Sequence, residues 1–473
     1  MGFLRSYVTR GRCRRAVLLF VGANASTGSG RPCKRLGLFF RGPAGREIAR
    51  RFRARRGQPL WSGARTQVYA RSRRGHDLRS RPWEEAMSKS AGAVAFVVSL
   101  ACLSVQASAQ IAVSSNDRKM VLDNGVPKVV AGPKPDTATV IDLGVTPPKV
   151  LAEIDVPGSV VGPPLSVAVA RDGSVAYVAS AMKIDAKDPT KQEADDKIAI
   201  IDLKASPPKV VGQIQAGKAP SGMSITPDGK LLLVANRNEG SVSMYALNGQ
   251  EARELTKLTI GKDTSSPSHV AVTPDGKTAL VSMYGDNTVK VLKIDGEKLE
   301  DTKREISVGT RPYPVVVHPG GKMALVANVG RGTGDVDTLT VIDLSKNPAR
   351  AVGWVDLGYE TPEGMMLSPD GKWCGVVLHN GTGRPKDSPF FHTTGRLVVY
   401  RVDGMRLTKA AEAPIGRWSQ GIAFSRDGRT IVVQNMVEEN AMVFRWDGAK
   451  LVDTGKPIKL GGGGAAIRTA GGL

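Results

Sequence analysis

Between His269 and Asp295 short apolar runs alternate with polar turns in a fixed order. His269-Val-Ala-Val-Thr273 is followed by Pro274-Asp275-Gly276, then Thr278 to Met283, then Gly285-Asp286-Asn287, then Thr288-Val-Lys-Val-Leu-Lys-Ile-Asp295. Runs of about four to eight apolar and β-branched residues bounded by Gly, Pro, Asn and Asp predict strands joined by tight turns. A further strand is expected behind each such unit, here over Lys303 to Val308. The turn recurs at Asn116-Asp117, Asp172-Gly173, Asp228-Gly229, Asp275-Gly276, Gly320-Gly321, Asp370-Gly371 and Asp427-Gly428, which makes seven units.

Four short antiparallel strands recurring every 40 to 57 residues or so, with no helical periodicity between them, predict an all-β, seven-bladed β-propeller over Ile111 to Thr469. The first strand of each unit is rich in Val, Ala and Ile and poor in large side chains, as a strand packed on both faces requires. A sandwich would need no such repeat. Closure is expected from pairing of the chain ends: Gly464 to Ala470 resembles the first strand of the other units and is expected to join strands around Lys119 to Leu143 in one mixed blade. The alternative gives Ile111 to Ser115 the innermost place in that blade.

Charge divides the chain. Of 66 Lys and Arg, 21 fall in residues 1–86 against 4 acids, so most of the net charge of +22 resides there. Taken alone, a run such as Arg50 to Arg56 suggests a nucleic-acid-binding arm. Met87, however, opens a short basic stretch at Lys89, an apolar run from Ala91 to Leu103 and a small-residue cleavage pattern, Ala107-Ser108-Ala109, ahead of Gln110. The expected organisation is therefore an upstream basic extension over 1–86, a secretory leader over 87–109 and a propeller domain over 110–473. The mature protein is expected in the periplasm or secreted, with no nucleic-acid partner. The apolar run is too short to span a bilayer. Of Cys13, Cys33, Cys102 and Cys374, only Cys374 would survive cleavage, so stability must come from packing rather than a disulfide.

Tyr177-Val-Ala-Ser180, Leu233-Val-Ala-Asn236, Leu325-Val-Ala-Asn328, the Pro-Asp-Gly turns and Val-Ile-Asp-Leu at 140–143 and 341–344 resemble the YVTN-repeat β-propellers, a group that includes lactonase-like propellers. In the lactonase-like branch the resemblance implies a Gly-Pro-Arg-His segment at the substrate cleft. Here Ser266-Pro267-Ser268-His269 is the nearest match, with Ser268 where Arg is expected.

Aligning the units on the Pro of the turn brings Leu165, Ser221, Ser268, Tyr313, Glu363, Gln420 and Gly464 to one level, at the channel mouth away from the turns. Long inserts at 183–196, 330–337 and 381–395 fall on the same face, where function tends to be carried. The candidates are His269, Arg311 and Glu363 for catalysis and Tyr313, Trp418 and Gln420 for ligand binding. Glu363 and Arg311 are alternatively a structural ion pair.

Two functions follow. One is an exported, monomeric binding or scaffold protein that takes a small molecule, glycan or protein on this face. The other is a lactonase-like hydrolase, with His269 as base and Arg311 polarising the carbonyl. No cofactor or metal is expected. His269, His318, His379 and His392 belong to separate places in the repeat, and the acidic loop holding Asp185, Asp188, Glu193, Asp195 and Asp196 reads as solvated rather than calcium-binding. The sequence has no Cys-x-x-Cys-His, no Gly-x-Ser-x-Gly and no phosphate-binding loop.

Overall fold

The computed structural model describes residues 109–471, so the basic extension and nearly all of the leader lie outside the described residues. Seven sheets form a ring of blades, each with four antiparallel strand positions. The innermost strands are Val167–Val169, Pro220–Ile225, Pro267–Val272, Pro312–Val317, Pro362–Leu367, Ser419–Phe424 and Gly463–Thr469; they open blades 1 to 7 in that order. In blade 6 the outermost position is broken, and Leu451–Asp453 and Ile458–Lys459 both pair with Asn440–Trp446. Among the described residues no helix is long and apolar enough to cross a membrane.

The hydrophobic core is divided among seven wedges, one at each junction between blades. Leu233, Val242 and Met244 of blade 2, for example, pack on Val270, Val281 and Leu292 of blade 3. Small residues let the inner strands converge. A Cβ added to Gly222 would lie 2.6 Å from a ring carbon of His269, and one at Gly364 would lie 2.2 Å from the carbonyl oxygen of Gln420.

Two local devices repeat around the ring. At the turn, a Ser or Thr hydroxyl donates to the Asp two residues on and accepts a backbone N–H from the next strand. Thr226 Oγ1 does both, at 2.6 Å to Asp228 and 3.0 Å from Leu231 N–H, and Gly229 takes the positive φ of 77° that the turn needs. Thr273, Ser368 and Ser425 repeat the bond to Asp275, Asp370 and Asp427. In blade 4 His318 stands in for the hydroxyl: Nδ1 accepts Gly320 N–H at 2.9 Å and Nε2 lies 3.1 Å from Gly371 O in the next blade. At the other end of the second strand an Asn amide ties the second strand to the third. Asn236 donates to Ser241 and Ser243, and Asn328 donates to Thr338 and Thr340.

This corrects the reading of Asn116-Asp117 as a repeat turn. Asn116 donates to Thr137 and Thr139 and so belongs to the Asn series at the far end of a second strand. Blade 7 is built from both chain ends in the order Gly463–Thr469, Ile111–Asp117, Thr137–Asp142, Lys149–Asp155. Ile111–Asp117 is thus second rather than innermost. Of the region from Lys119 to Leu143, only Thr137–Asp142 enters the blade. Met120–Asp123 and Val126–Val129 form a separate hairpin, whose tip reaches the long loop of blade 5, where Asn124 Oδ1 accepts Lys386 N–H at 2.9 Å.

Candidate functional site

At the mouth away from the turns, each blade presents two side-chain positions. The first is the inner-strand level identified from the sequence. The second lies just past the second strand, ten residues after the position of the turn Pro: Ala181, Arg237, Tyr284, Val329, His379 and Met436 in blades 1 to 6. In blades 2 to 5 their backbones are fixed by cross-strand bonds to the left-handed residue just before the inner strand, such as Arg237 N–H to Ala219 O and His379 N–H to Thr361 O.

Where the two levels interleave over blades 2 to 5, a polar cluster forms. Arg237 lies 4.5 Å over the Tyr284 ring and 5.6 Å from that of Tyr313, and its Nη1 donates to Ser268 Oγ at 2.5 Å. The tyrosine rings are 5.7 Å apart and tilted. Exposed Arg311 also lies over the Tyr284 ring, at 5.5 Å.

Glu363 is buried, and burial raises its carboxyl to about 8, with the charge of Arg237 offsetting part of the rise. Burial and then the Glu363 charge push the Tyr313 phenol up as well. His379 Nε2 lies 3.9 Å from Glu363 Oε2, but that ring proton is directed to Ser419 O at 2.9 Å. Burial lowers His379 to about 4. With His379 neutral, their contact near pH 7 is not an ion pair. The cluster holds a fixed cation, a carboxyl poised between its two protonation states, and a tyrosine hydroxyl, which is a set suited to general base catalysis beside a polarising charge.

The other candidates divide. Trp418 has a positive φ of 48° and packs with Met120, Val160, Met436 and Ala465 in an apolar patch at the blade 6 and 7 side of the mouth. Gln420 is buried; its amide donates to Trp418 O and its carbonyl oxygen has no protein partner. Arg311 and Glu363 are not paired: the cation acting on Glu363 is Arg237. His269 and Arg311 lie at different depths, Arg311 being exposed at the rim. His269 is 1% exposed and lies deeper in the channel, where burial and the charge of Arg468 lower it to about 3. The Ser388 to His392 loop folds partly back, with Phe390 against Gly334 of the adjoining loop and near Arg384. Arg237, Tyr284 and His379 were missed because only the inner-strand position was aligned. The same Pro, counted ten residues forward, yields all three.

At the opposite mouth, among the turns, a cavity of about 360 Å³ is lined by residues including Gln110, Arg171, Met366, Phe424 and Arg426. No Asp, Glu or His lines it, so it lacks an acid–base group for hydrolysis. Among the described residues no group of three His, Cys, Asp or Glu converges in a way that could hold a metal.

Residues 164–260 match the family described as "Lactonase, 7-bladed beta-propeller". No curated protein matches the chain. Among solved structures, a candidate 6-phosphogluconolactonase from Bacteroides fragilis superposes with a TM-score of 0.58 at 16% identity, covering 77% of this chain and 99% of that one. The periplasmic gluconolactonase of Pseudomonas aeruginosa gives 0.56 at 19% identity, covering 76% and 98%. A chain of Kuenenia stuttgartiensis hydrazine synthase gives 0.52 at 20%, covering 66% and 90%. At these identities the superpositions speak for the fold alone. Blade count and strand order make the chain a seven-bladed β-propeller, and residues 164–260 of it are similar to the lactonase propeller family.

Proposed function

We propose that the protein hydrolyses a lactone, of the sugar-acid kind named for the proteins it superposes on, at the Arg237, Tyr313 and Glu363 cluster. The observation that carries this reading is Glu363: a buried carboxyl raised to about 8 beside a guanidinium, at the channel mouth. Ionised Glu363 takes a proton from water as the water oxygen attacks the lactone carbonyl carbon. The oxyanion that develops is stabilised by Arg237. Collapse breaks the ring C–O bond, the proton held by Glu363 passes to the departing ring oxygen, and the hydroxy acid leaves. Tyr284 and Arg311 form the more exposed rim.

Because the base works when ionised, kcat/KM is expected to rise with pH through about 8 and flatten above it. The direct test is pH-stat hydrolysis of a sugar-lactone panel, corrected for the spontaneous reaction. Glu363→Gln is expected to lose about 10²-fold or more. A folded wild-type protein that accelerates no lactone would sink the hydrolase reading and leave a binding protein that uses the same mouth.

Export is part of the proposal, and the ordered start of the domain supports it. Gln110 is buried; its Oε1 accepts Arg426 N–H at 2.7 Å, and its own backbone nitrogen is 2.9 Å from Asp142 Oδ1. Cleavage before Gln110 would turn that nitrogen into an ammonium facing a carboxylate. Intact mass of the protein from producing cells is expected to begin at Gln110; retention of residues 1–86 would overturn export.

A further inference from the structure

Halfway down the channel lies a second polar arrangement that the proposed hydrolysis does not use. Arg468 projects from the inner strand of blade 7 and is 5% exposed. Its one hydrogen-bond contact among the described residues is Nη1 to Met366 Sδ at 3.4 Å, a weak acceptor, and no carboxylate lies within ion-pair range. Burial lowers its guanidinium to about 10, still charged at any physiological pH, and no neighbouring charge offsets the loss of solvent.

On the facing side, His269 Nδ1 accepts Val315 N–H at 3.4 Å. A neutral imidazole that accepts at Nδ1 carries its proton on Nε2, and Nε2 is buried without a partner in hydrogen-bond geometry, the Met223 backbone acting on the ring only as a weak neighbour. Arg468, His269 and Ser224 line one cavity of about 20 Å³, room for a single occupant of water or halide size. Its other walls are hydrophobic: Ile225, Ala271, Val272 and Val315 to Val317.

Two buried donor side chains lining one small space call for an acceptor, and a water molecule would satisfy that. Water would leave the charge uncompensated, and an unpaired buried charge is the larger penalty. We propose that this part of the channel is a binding site for one small monovalent anion of halide size, held between the Arg468 guanidinium and the His269 Nε2–H. The turn-side cavity adjoins this one: both are lined by Val317, and the turn-side cavity is also lined by Met366, the residue Arg468 touches. Arg171 and Arg426 at that mouth add positive potential and no acidic side chain lines it.

The site is independent of hydrolysis, so its test reads ion binding and stability. Crystals of the wild-type protein soaked in bromide are expected to show an anomalous peak in hydrogen-bonding range of Arg468 and His269. In solution, melting is measured in sodium chloride against sodium isethionate, whose anion is too large for the cavity, at constant ionic strength. Above the dissociation constant, Tm is expected to rise by about 2 °C per tenfold increase in chloride for a domain of this size. Arg468→Met is expected to abolish the slope, and His269→Phe, which keeps the cation, to weaken it. The crystal experiment needs no variant and stands if Arg468→Met fails to fold. Absence of the peak overturns the proposal. So does a peak with a chloride-independent Tm, because an ion that binds only the folded chain must stabilise it. A slope that survives in Arg468→Met places the ion elsewhere and also overturns it.

Discussion

The two ends of the channel carry polar side chains of similar kinds in opposite states. On the turn side, Asp228, Asp275, Asp370 and Asp427 each accept a bond from a Ser or Thr two residues away, and all four carboxyls are held below their ordinary value. Their bonding is complete within a few residues of chain. On the other side, Glu363 accepts no hydrogen bond from a hydroxyl or backbone N–H among the described residues and is pushed up by burial, while Gln420 Oε1 and Ser221 Oγ are buried without a protein partner. Repetition of one local motif marks the turn side as framework. Unlike residues at equivalent positions, with bonding capacity left open, mark the other side as a site.

The strongest way to break this contrast is to remove one carboxylate from each side. Glu363→Gln keeps the size and removes the base, and it is expected to lower kcat/KM by about 10² to 10⁴-fold with the melting temperature unchanged or higher. Asp370→Asn on the turn side is expected to leave kcat/KM within about twofold, since it lies at the far end of the blade. Equal losses from the two changes would mean that activity tracks stability, and the distinction between site and framework would fail. Arg237→Met follows in size, with an expected loss of about 10²-fold in kcat; its readout is kcat rather than KM, because the charge acts on the oxyanion that develops during reaction.

Next in size is the dependence of stability on pH. A carboxyl whose folded value is raised from 4.5 to about 8 binds its proton more tightly in the folded state. Stability from this group is therefore highest below pH 4.5, falls as pH rises towards 8, and is level above that. The full swing is on the order of 5 kcal/mol. The turn aspartates run the other way: their contribution is present above the ordinary carboxylate range and is lost as pH falls through their depressed values. Urea unfolding from pH 3 to 9 isolates the Glu363 contribution as the difference between wild type and Glu363→Gln, which cancels the opposing contributions of His269 and His379, lowered by burial, and the parallel one of Asp337, raised by it. That difference is expected to fall between pH 4.5 and 8 and to be level on either side. A difference that does not change between pH 4.5 and 8 would assign the neutral-pH titration to another group.

The architecture was legible because its determinants are local and repeated. Pro-Asp-Gly and related turns, apolar runs and intervening polar turns each specify a few residues of backbone, and six true copies of the turn made the period plain. The inner-strand level of the site, including Tyr313, Glu363 and Gln420, followed from that alignment. Partners across the channel did not follow. Arg237 reaches Ser268 and Tyr284 in the next blade, contacts that depend on side-chain reach between blades and not on position within one. The depth of His269 was not legible either: its neighbours Ser266 and Pro267 resemble a cleft motif, and only the fold packs its ring against Gly222 and brings it to line the small cavity with Arg468. Asn116-Asp117 misled because a polar pair after an apolar run marks either end of a strand, and only pairing with Thr137 and Thr139 shows which.

The smallest expected effect tests whether the turn side is framework in the sense argued above. Thr226 Oγ1 is both donor to Asp228 and acceptor from Leu231 N–H, so Thr226→Val keeps the shape and strands a backbone donor at the start of the second strand. Leaving a buried donor unpaired costs about 1 to 3 kcal/mol, whereas Asp228→Asn, which keeps an acceptor, is expected to cost under about 1 kcal/mol. If the motif is a local unit, the double variant should cost little more than Thr226→Val alone, because the Asp bond is already gone once the hydroxyl is removed. Lactone hydrolysis by the folded double variant should match wild type. Additive losses would mean that Asp228 stabilises the blade by a route other than Thr226, and a fall in kcat would mean that the turn side communicates with the mouth through the length of the inner strand.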